Sequence, residues 1–180
     1  KTGVYPSTAW KMKTYKKPWL PGDTVSASIG QGYFLATPLQ VANATAMLAN
    51  AGNHLTPHLL SKTTGAVKYS PANKPDGKIP FRGTKQDWLK MQTAMELTVK
   101  SGTAKGVYTD RYRLAGKTGT AQVKSIAQGK RYNEAALSER HRDHGWFIAF
   151  APVDNPQIAV AVIVENGRGG SKVAPIARKA

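Results

Sequence analysis

The sequence of 180 residues contains no cysteine. That excludes a disulfide framework, a thiolate zinc site and a cysteine nucleophile. Acidic residues are scarce. Asp and Glu number 10 against 26 Lys and Arg, a formal net charge of +16. Long apolar runs are missing as well. The longest, Ile158 to Val164, has seven residues, far short of the ~20 that cross a bilayer as a helix. No signal-peptide pattern opens the chain. It begins Lys1-Thr2-Gly3 rather than with Met, which reads as a piece of a longer protein and leaves room for an anchor or leader upstream. What is present is ordinary for a globular domain: 41% hydrophobic and 20% charged residues, enough to build one hydrophobic core.

The charge has two readings. Lys11, Lys13, Lys16 and Lys17 are interleaved with Trp10, Tyr15 and Trp19, a pattern that can grip phosphates and stack bases. The other basic residues are scattered along the chain and no nucleic-acid motif accompanies them. The plainer reading is a solvated basic segment whose aromatics cover a core edge, on a surface that favours anionic surroundings.

Residues 1–36 read as loop, because Pro6, Pro18, Pro21, Gly22, Gly30 and Gly32 break any long periodic run. A helix starts at Thr37-Pro38, with Thr as N-cap and Pro in the first turn. Leu39, Ala42, Ala46 and Ala49 share one face, and Val41, Ala44, Met47 and Leu48 make the rest apolar. Burial on most sides is the expectation, with an end at Asn50-Ala51-Gly52, where Gly suits a left-handed cap. His54 to Leu60 reads as short and extended, and 61–83 as a surface loop. A second helix follows Thr84, which has capping-box spacing to Asp87. Its apolar stripe is Trp88, Met91, Met95 and Val99, and it stops near Ser101-Gly102.

The C-terminal part reads as β-structure. Tyr112 to Val123 is a strand candidate broken by Gly116 and Gly119, and Trp146 to Phe150 is a second. Ile158 to Val164 is a continuous apolar run that suits a buried central strand. Asp154-Asn155-Pro156 predicts a tight turn and an antiparallel hairpin between the last two. Ser171 opens a further helix.

One tetrapeptide recurs in variant form, as Lys100-Ser-Gly-Thr103 and Lys117-Thr-Gly-Thr120. Lys-(Ser/Thr)-Gly is a motif of penicillin-recognising serine enzymes when it lies on a strand beside a cleft. Lys100 ends a helix, where a cation complements the dipole and Gly caps. Lys117 sits within a strand candidate. Strand alternation puts Thr118 and Thr120 on one side, about 7 Å apart, so two hydroxyls reach one ligand such as a peptide carboxylate. Lys117 adds positive charge, and Gly119 permits close backbone approach. The Thr120 N–H is suited to an oxyanion. On this motif alone, a glycine-kinked edge strand with no ligand is an equal alternative.

Further stretches favour the first alternative. Gly30-Gln31-Gly32 with Thr37-Pro-Leu-Gln40, Lys117-Thr-Gly-Thr-Ala-Gln122, and Ile148-Ala-Phe-Ala-Pro152 together resemble the class B penicillin-binding proteins. Lys16-Lys-Pro-Trp19, Gly22-Asp23, Tyr132-Asn133, Arg142-Asp-His144 and Glu165-Asn-Gly167 point within that class to the elongation-specific D,D-transpeptidases. The resemblance implies an α/β fold of the β-lactamase/transpeptidase kind, a largely antiparallel sheet flanked by helices, with residues 1–180 the C-terminal portion of one transpeptidase domain. It implies that Lys117 lines the cleft, that Thr118 and Thr120 bind the carboxylate of a D-Ala-D-Ala stem peptide or a β-lactam beside Gly119, and that the Thr120 N–H is an oxyanion donor. The implied partners are a membrane glycosyltransferase and elongation scaffold proteins. The implied location is periplasmic, on an inner-membrane anchor, and the implied cofactor is none. The family also needs Ser-x-x-Lys and Ser-x-Asn. No serine of this sequence has Lys three places on or Asn two places on, so both motifs are expected upstream and this portion alone is expected to be inactive. A catalytically inert relative with a scaffolding role differs from this reading only upstream.

His141, Asp143 and His144 offer metal-ligand types without a third well-spaced partner. A polar network at the base of the strand near Trp146 is the simpler expectation. His54 and His58 flank Pro57 and read as surface residues. Trp146 and Phe150 read as core. The basic connection from Lys124 to Asp143 is long enough to suggest a flap at the cleft mouth.

Overall fold

Three strands form the centre of the computed structural model, which describes residues 2–60, 63, 77–78, 83–124, 133 and 137–179. Strands β3 (Ala115–Ala121), β4 (His144–Ala151) and β5 (Ile158–Val164) pair antiparallel in that order. The Asp154–Pro156 turn joins β4 to β5 as expected, with Ala151 opposite Ile158. Gly116 and Gly119 do not break β3. They pair with Ala149 and Trp146 inside an unbroken ladder.

Alternation along β4 sorts the core into two halves. Phe147, Ala149 and Ala151 face one side, with Val160, Val162 and Val164 of β5 and with Val173, Ala174 and Ala177 of helix α5 (Gly170–Lys179). Ile148 and Phe150 face the other, with Ala115 and with Leu48 and Ala49 of helix α3 (Pro38–Ala49). Helix α4 (Lys85–Lys100) supplies Met95 to the second cluster and Val99 to the first. Helices therefore cover both faces of an antiparallel sheet.

The apolar run of β5 is explained by this layering, but its expected central place is not. Among the described residues β4 is the middle strand and β5 an outer one, partly buried along most of its length. A continuous run reports two covered faces, here α5 and α3, and says nothing about hydrogen-bonded edges. Helix α3 also departs from expectation. Thr37 caps it through Gln40 and Gly52 is left-handed at φ +85, as predicted, yet only Thr45 and Ala49 are buried and Leu39 is 65% exposed.

Helix α4 keeps its predicted cap, Thr84 with Asp87, but its inner face differs. Met91 is exposed, and Gln92 and Glu96 are buried instead. Each has partners that make burial tolerable. Gln92 Nε2 donates to the carbonyls of Leu48 and Ala49, closing the end of α3. Glu96 accepts a two-pronged contact from Arg113, at 2.8 Å from Nε and 2.7 Å from Nη2, and lies 3.0 Å from Lys100 Nζ.

The stretch predicted as loop before Thr37 holds two helices, α1 (Thr8–Tyr15) and α2 (Pro21–Ser28). The residues that read as breakers mark their ends. Pro21 occupies the first turn of α2, where its missing N–H costs nothing. Asp23 accepts from the Leu20 N–H at 2.7 Å and pairs with the buried Lys11 at 2.5 Å. Those two donors hold the Asp23 carboxyl below its ordinary range, Lys11 foremost. Short strands β1 (Asn53–His54) and β2 (Gly77–Lys78) pair antiparallel, so the expected 61–83 loop contains at least one strand. The rest of that loop, apart from 63 and 83, lies outside the described residues, as does most of the expected flap between Lys124 and Asp143.

The Arg113 hydrogen bonds, with Lys100 beside them, lower the Glu96 carboxyl from 4.5 to about 2. A depressed acid stabilises the fold fully above its unfolded value near 4.5 and loses that contribution as pH falls toward 2. Glu96→Gln is expected to cost about 2 to 3 kcal/mol at pH 7. The gap to the parent protein should close between pH 4.5 and 2, which urea unfolding across that range measures.

Candidate active site

Strand β3 carries the expected tetrapeptide, and its edge away from β4 pairs with no other strand among the described residues. Its register decides where each group points. Lys117 pairs with Ile148 and so leaves from the α3 face. Thr118 pairs with Phe147 and Thr120 with Gly145, so both leave from the α5 face. The two threonines share a side, as alternation predicted, but the lysine is on the other. Ammonium and hydroxyls can meet one ligand only around the strand edge.

Side chains already engage that edge. Lys117 Nζ donates to the Thr118 carbonyl at 2.7 Å. Gln31 Nε2 donates to the Thr120 carbonyl at 2.9 Å, across 89 positions of sequence. In an antiparallel ladder a residue turns its N–H and C=O the same way, alternately toward and away from the partner strand. The carbonyls of Thr118 and Thr120 are reached from outside β4, so their N–H groups also face outward. Along the tetrapeptide the edge thus offers two amide donors, two hydroxyls and one ammonium, while the Thr118 and Thr120 carbonyls each accept a bond from within the chain. Such an array suits an oxygen anion.

The second copy of the near-repeat also contributes. Lys100 is engaged with Glu96 at the end of α4, the structural role expected of it. Thr103, three residues on, places Oγ1 at 2.8 Å from Thr118 Oγ1. Sequence reasoning overlooked Thr103 and Gln31. The repeat itself was a signal for the first, and the flanking Gly30 and Gly32 for the second.

Helix α5 meets the sheet directly behind this edge. A Cβ on Gly170 would lie 2.2 Å from the Trp146 carbonyl oxygen and 2.6 Å from the Gly119 nitrogen. Only glycine allows that approach. Cavities of about 460, 440 and 490 Å³ lie elsewhere, and Lys117, Thr118 and Thr120 line none of them. The tetrapeptide forms an exposed shelf, with no opposing wall among those cavities.

The other candidates have polar roles. Asp143 Oδ1 accepts from the Val123 N–H at 3.3 Å, and its carbonyl accepts from Arg168. His144 Nδ1 accepts from the Asn166 N–H at 2.9 Å, so the neutral ring carries its proton on Nε2. His141 Nδ1 contacts Ser138 Oγ. This is the network expected at the base of β4. His58 is exposed and bonds the Leu60 carbonyl, and His54, half-buried, contacts Asn43. Phe150 is core, whereas Trp146 is partly exposed. No described helix is long and apolar enough to cross a membrane.

Comparison with known proteins covers nearly the whole chain. The penicillin binding protein transpeptidase domain model matches residues 2–180. The peptidoglycan D,D-transpeptidase MrdA of Acinetobacter baumannii is 60% identical over 176 residues, covering 98% of this chain and 26% of that protein. The chain thus spans about a quarter of that relative's length. The crystal structure of Pseudomonas aeruginosa PBP2 in complex with WCK 5153 superposes with a TM-score of 0.79 at 41% identity, over 98% of this chain and 37% of that one. The complex between PBP2 and MreC from Helicobacter pylori gives 0.77 at 34% identity, over 98% and 30%.

A Cβ at position 170 has nowhere to go without parting α5 from β3 and β4. Gly170→Ala is therefore expected to lower stability by about 1–3 kcal/mol, read as a reduced thermal midpoint of the complete protein. Gly106→Ala, where a Cβ would meet nothing within 4 Å, should leave the midpoint nearly unchanged.

Proposed function

Because the chain belongs to the penicillin-binding protein transpeptidase family, we propose that it is the C-terminal portion of the transpeptidase domain of a peptidoglycan D,D-transpeptidase of the penicillin-binding protein 2 kind. The observation that carries this reading is the donor edge of β3, with the hydroxyls, outward amides and ammonium of Lys117-Thr118-Gly119-Thr120 gathered around one line of approach.

In the reaction proposed for the whole protein, a serine outside this chain attacks the penultimate D-Ala carbonyl of a stem peptide. The serine proton is transferred to the departing nitrogen, the C–N bond breaks, and terminal D-Ala leaves. An amine of a neighbouring stem peptide then attacks the acyl ester, forming the cross-link and restoring the serine. Thr118 and Thr120 donate hydroxyl hydrogen bonds to the C-terminal carboxylate, and Lys117 favours that anion. The outward Thr120 N–H stabilises the tetrahedral oxygen in both halves of the reaction. A β-lactam, which also carries a carboxylate and an acylating carbonyl, uses the same groups. No step calls on a metal or an organic cofactor.

The proposed setting is cell elongation in the periplasm, on an inner-membrane anchor outside this chain. The proposed partners are a membrane glycosyltransferase and elongation scaffold proteins, a suggestion supported by the complex of the similar Helicobacter pylori PBP2 with MreC. The basic segment 11–17 gives no support to a nucleic-acid role. Lys11 is buried on Asp23, and Trp10 and Tyr15 pack against Tyr33 at 5.4 and 5.1 Å between ring centres.

Labelled penicillin tests the reading in the complete protein. The parent is expected to become covalently labelled. Lys117→Ala should slow labelling at least tenfold, while Lys100→Ala should stay within about twofold, its lost contact to Glu96 being structural. Absence of labelling in the parent would refute the activity. Equal losses in the two variants would refute the choice of tetrapeptide.

A further inference from the structure

The donor from Gln31 to the Thr120 carbonyl is a long-range contact that the expected motif does not contain. The residues around it are built to hold it. Gly30 and Gly32 both sit at φ +72, a left-handed conformation that other residues adopt only with strain. The Gly30 N–H donates to Ala27 and the Gln31 N–H to Ser26, at 3.0 and 2.9 Å, so this turn is tied to the end of α2. Helix α2 is in turn fixed to α1 by the Lys11–Asp23 pair. Beyond the turn, Tyr33 packs against Trp10 and Tyr15, and Lys11 Nζ lies 5.6 Å from the centre of its ring. Residues 7–33 therefore form a braced platform that reaches the candidate site through the Gln31 side-chain amide.

That amide bonds the last outward carbonyl of the tetrapeptide. The Thr120 carbonyl sits at the end of the ladder, one residue before β3 finishes at Ala121. There β4 fixes only one side of the backbone. A donor from outside fixes the other side. A strand end left unheld on that side would shift as a unit and carry the Thr120 N–H and hydroxyl away from Thr118. A carbonyl oxygen has two acceptor sites, so Gln31 takes one and leaves the other.

We propose that Gln31 is a positioning residue for acyl transfer: it clamps the Thr120 carbonyl from the α1–α2 platform and so holds in place the strand end that carries the Thr120 N–H and hydroxyl. The inference rests on the reading of β3 as the acyl-transfer edge. Gln31 acts through Thr120 and touches no reacting atom.

Two substitutions in the complete protein test it. Gln31→Ala removes the donor and is expected to slow labelling by penicillin roughly fivefold, about what one neutral hydrogen bond supports. Gln31→Glu sets a carboxylate against the carbonyl and should slow labelling more at pH 8. Protonation restores an O–H donor, so labelling by Gln31→Glu relative to the parent should recover as pH falls toward 5, with the facing carbonyl raising the pKa of the introduced acid above its usual value. For Gln31→Ala the same ratio should stay flat. Carbonyl-13C NMR of Thr120 supplies a readout that does not depend on reaction: its resonance should follow the titration of the new acid in Gln31→Glu and show no such step in the parent. A parent that is not labelled would refute the activity while the resonance still decides the clamp. A silent Thr120 resonance, or a Gln31→Glu ratio as flat as that of Gln31→Ala, would overturn the role of Gln31.

Discussion

The ladder between β3 and β4 is the constraint on which the rest of the molecule depends. It fixes, residue by residue, which face each side chain of Lys117-Thr-Gly-Thr120 leaves from and which way each peptide unit turns. The hydroxyls and the ammonium are thrown to opposite faces, and the backbone amides of the threonines are turned to the free edge. A slip of one position would exchange all of these at once. Register is held by what lies on either side. Phe147 and Ala149 lock into the α5 cluster, Ile148 and Phe150 into the α3 cluster. Gly170 brings α5 so close to Gly119 and Trp146 that no larger residue fits.

The large positive charge turns out to be partly structural. Lys11 is withdrawn from the surface onto Asp23, and Lys100 and Arg113 flank the buried Glu96. Of the aromatics that alternate with the N-terminal lysines, Trp10 and Tyr15 form a cluster with Tyr33, and Trp19 donates its indole N–H to Thr24 Oγ1. This cluster braces the glycine turn that carries Gln31. A segment that suggested binding by its composition is better understood as a support for the strand across from it.

Local chemistry was legible in the sequence. The caps at Thr37 and Thr84, the turn at Asp154–Pro156, the strand around Lys117 and the separate role of Lys100 all follow from patterns spanning a few residues. What escaped was either short or distant. Helices α1 and α2 have eight residues each, too few for periodicity to emerge against their prolines and glycines. On α4 Met95 and Val99 are buried as the period implies, but Met91 is exposed, and Gln92 and Glu96 are buried by partners on α3 and at Arg113 that no local pattern reveals. The contacts of Gln31 and Thr103 with β3 are likewise products of the fold. The sequence hinted at each only through flanking glycines and a repeated tetrapeptide.

An exposed strand with unpaired backbone groups is ordinarily an invitation to sheet-to-sheet aggregation. Here the same two side chains that prepare β3 for an anion, Lys117 and Gln31, already take an acceptor site on each of the Thr118 and Thr120 carbonyls that an incoming strand would use. A foreign β-strand would have to share or displace those donors at two positions, with a lysine in its path. The donors that suit this edge to an anion therefore also make it a poorer template for a second strand, and freeing either carbonyl would weaken both features together.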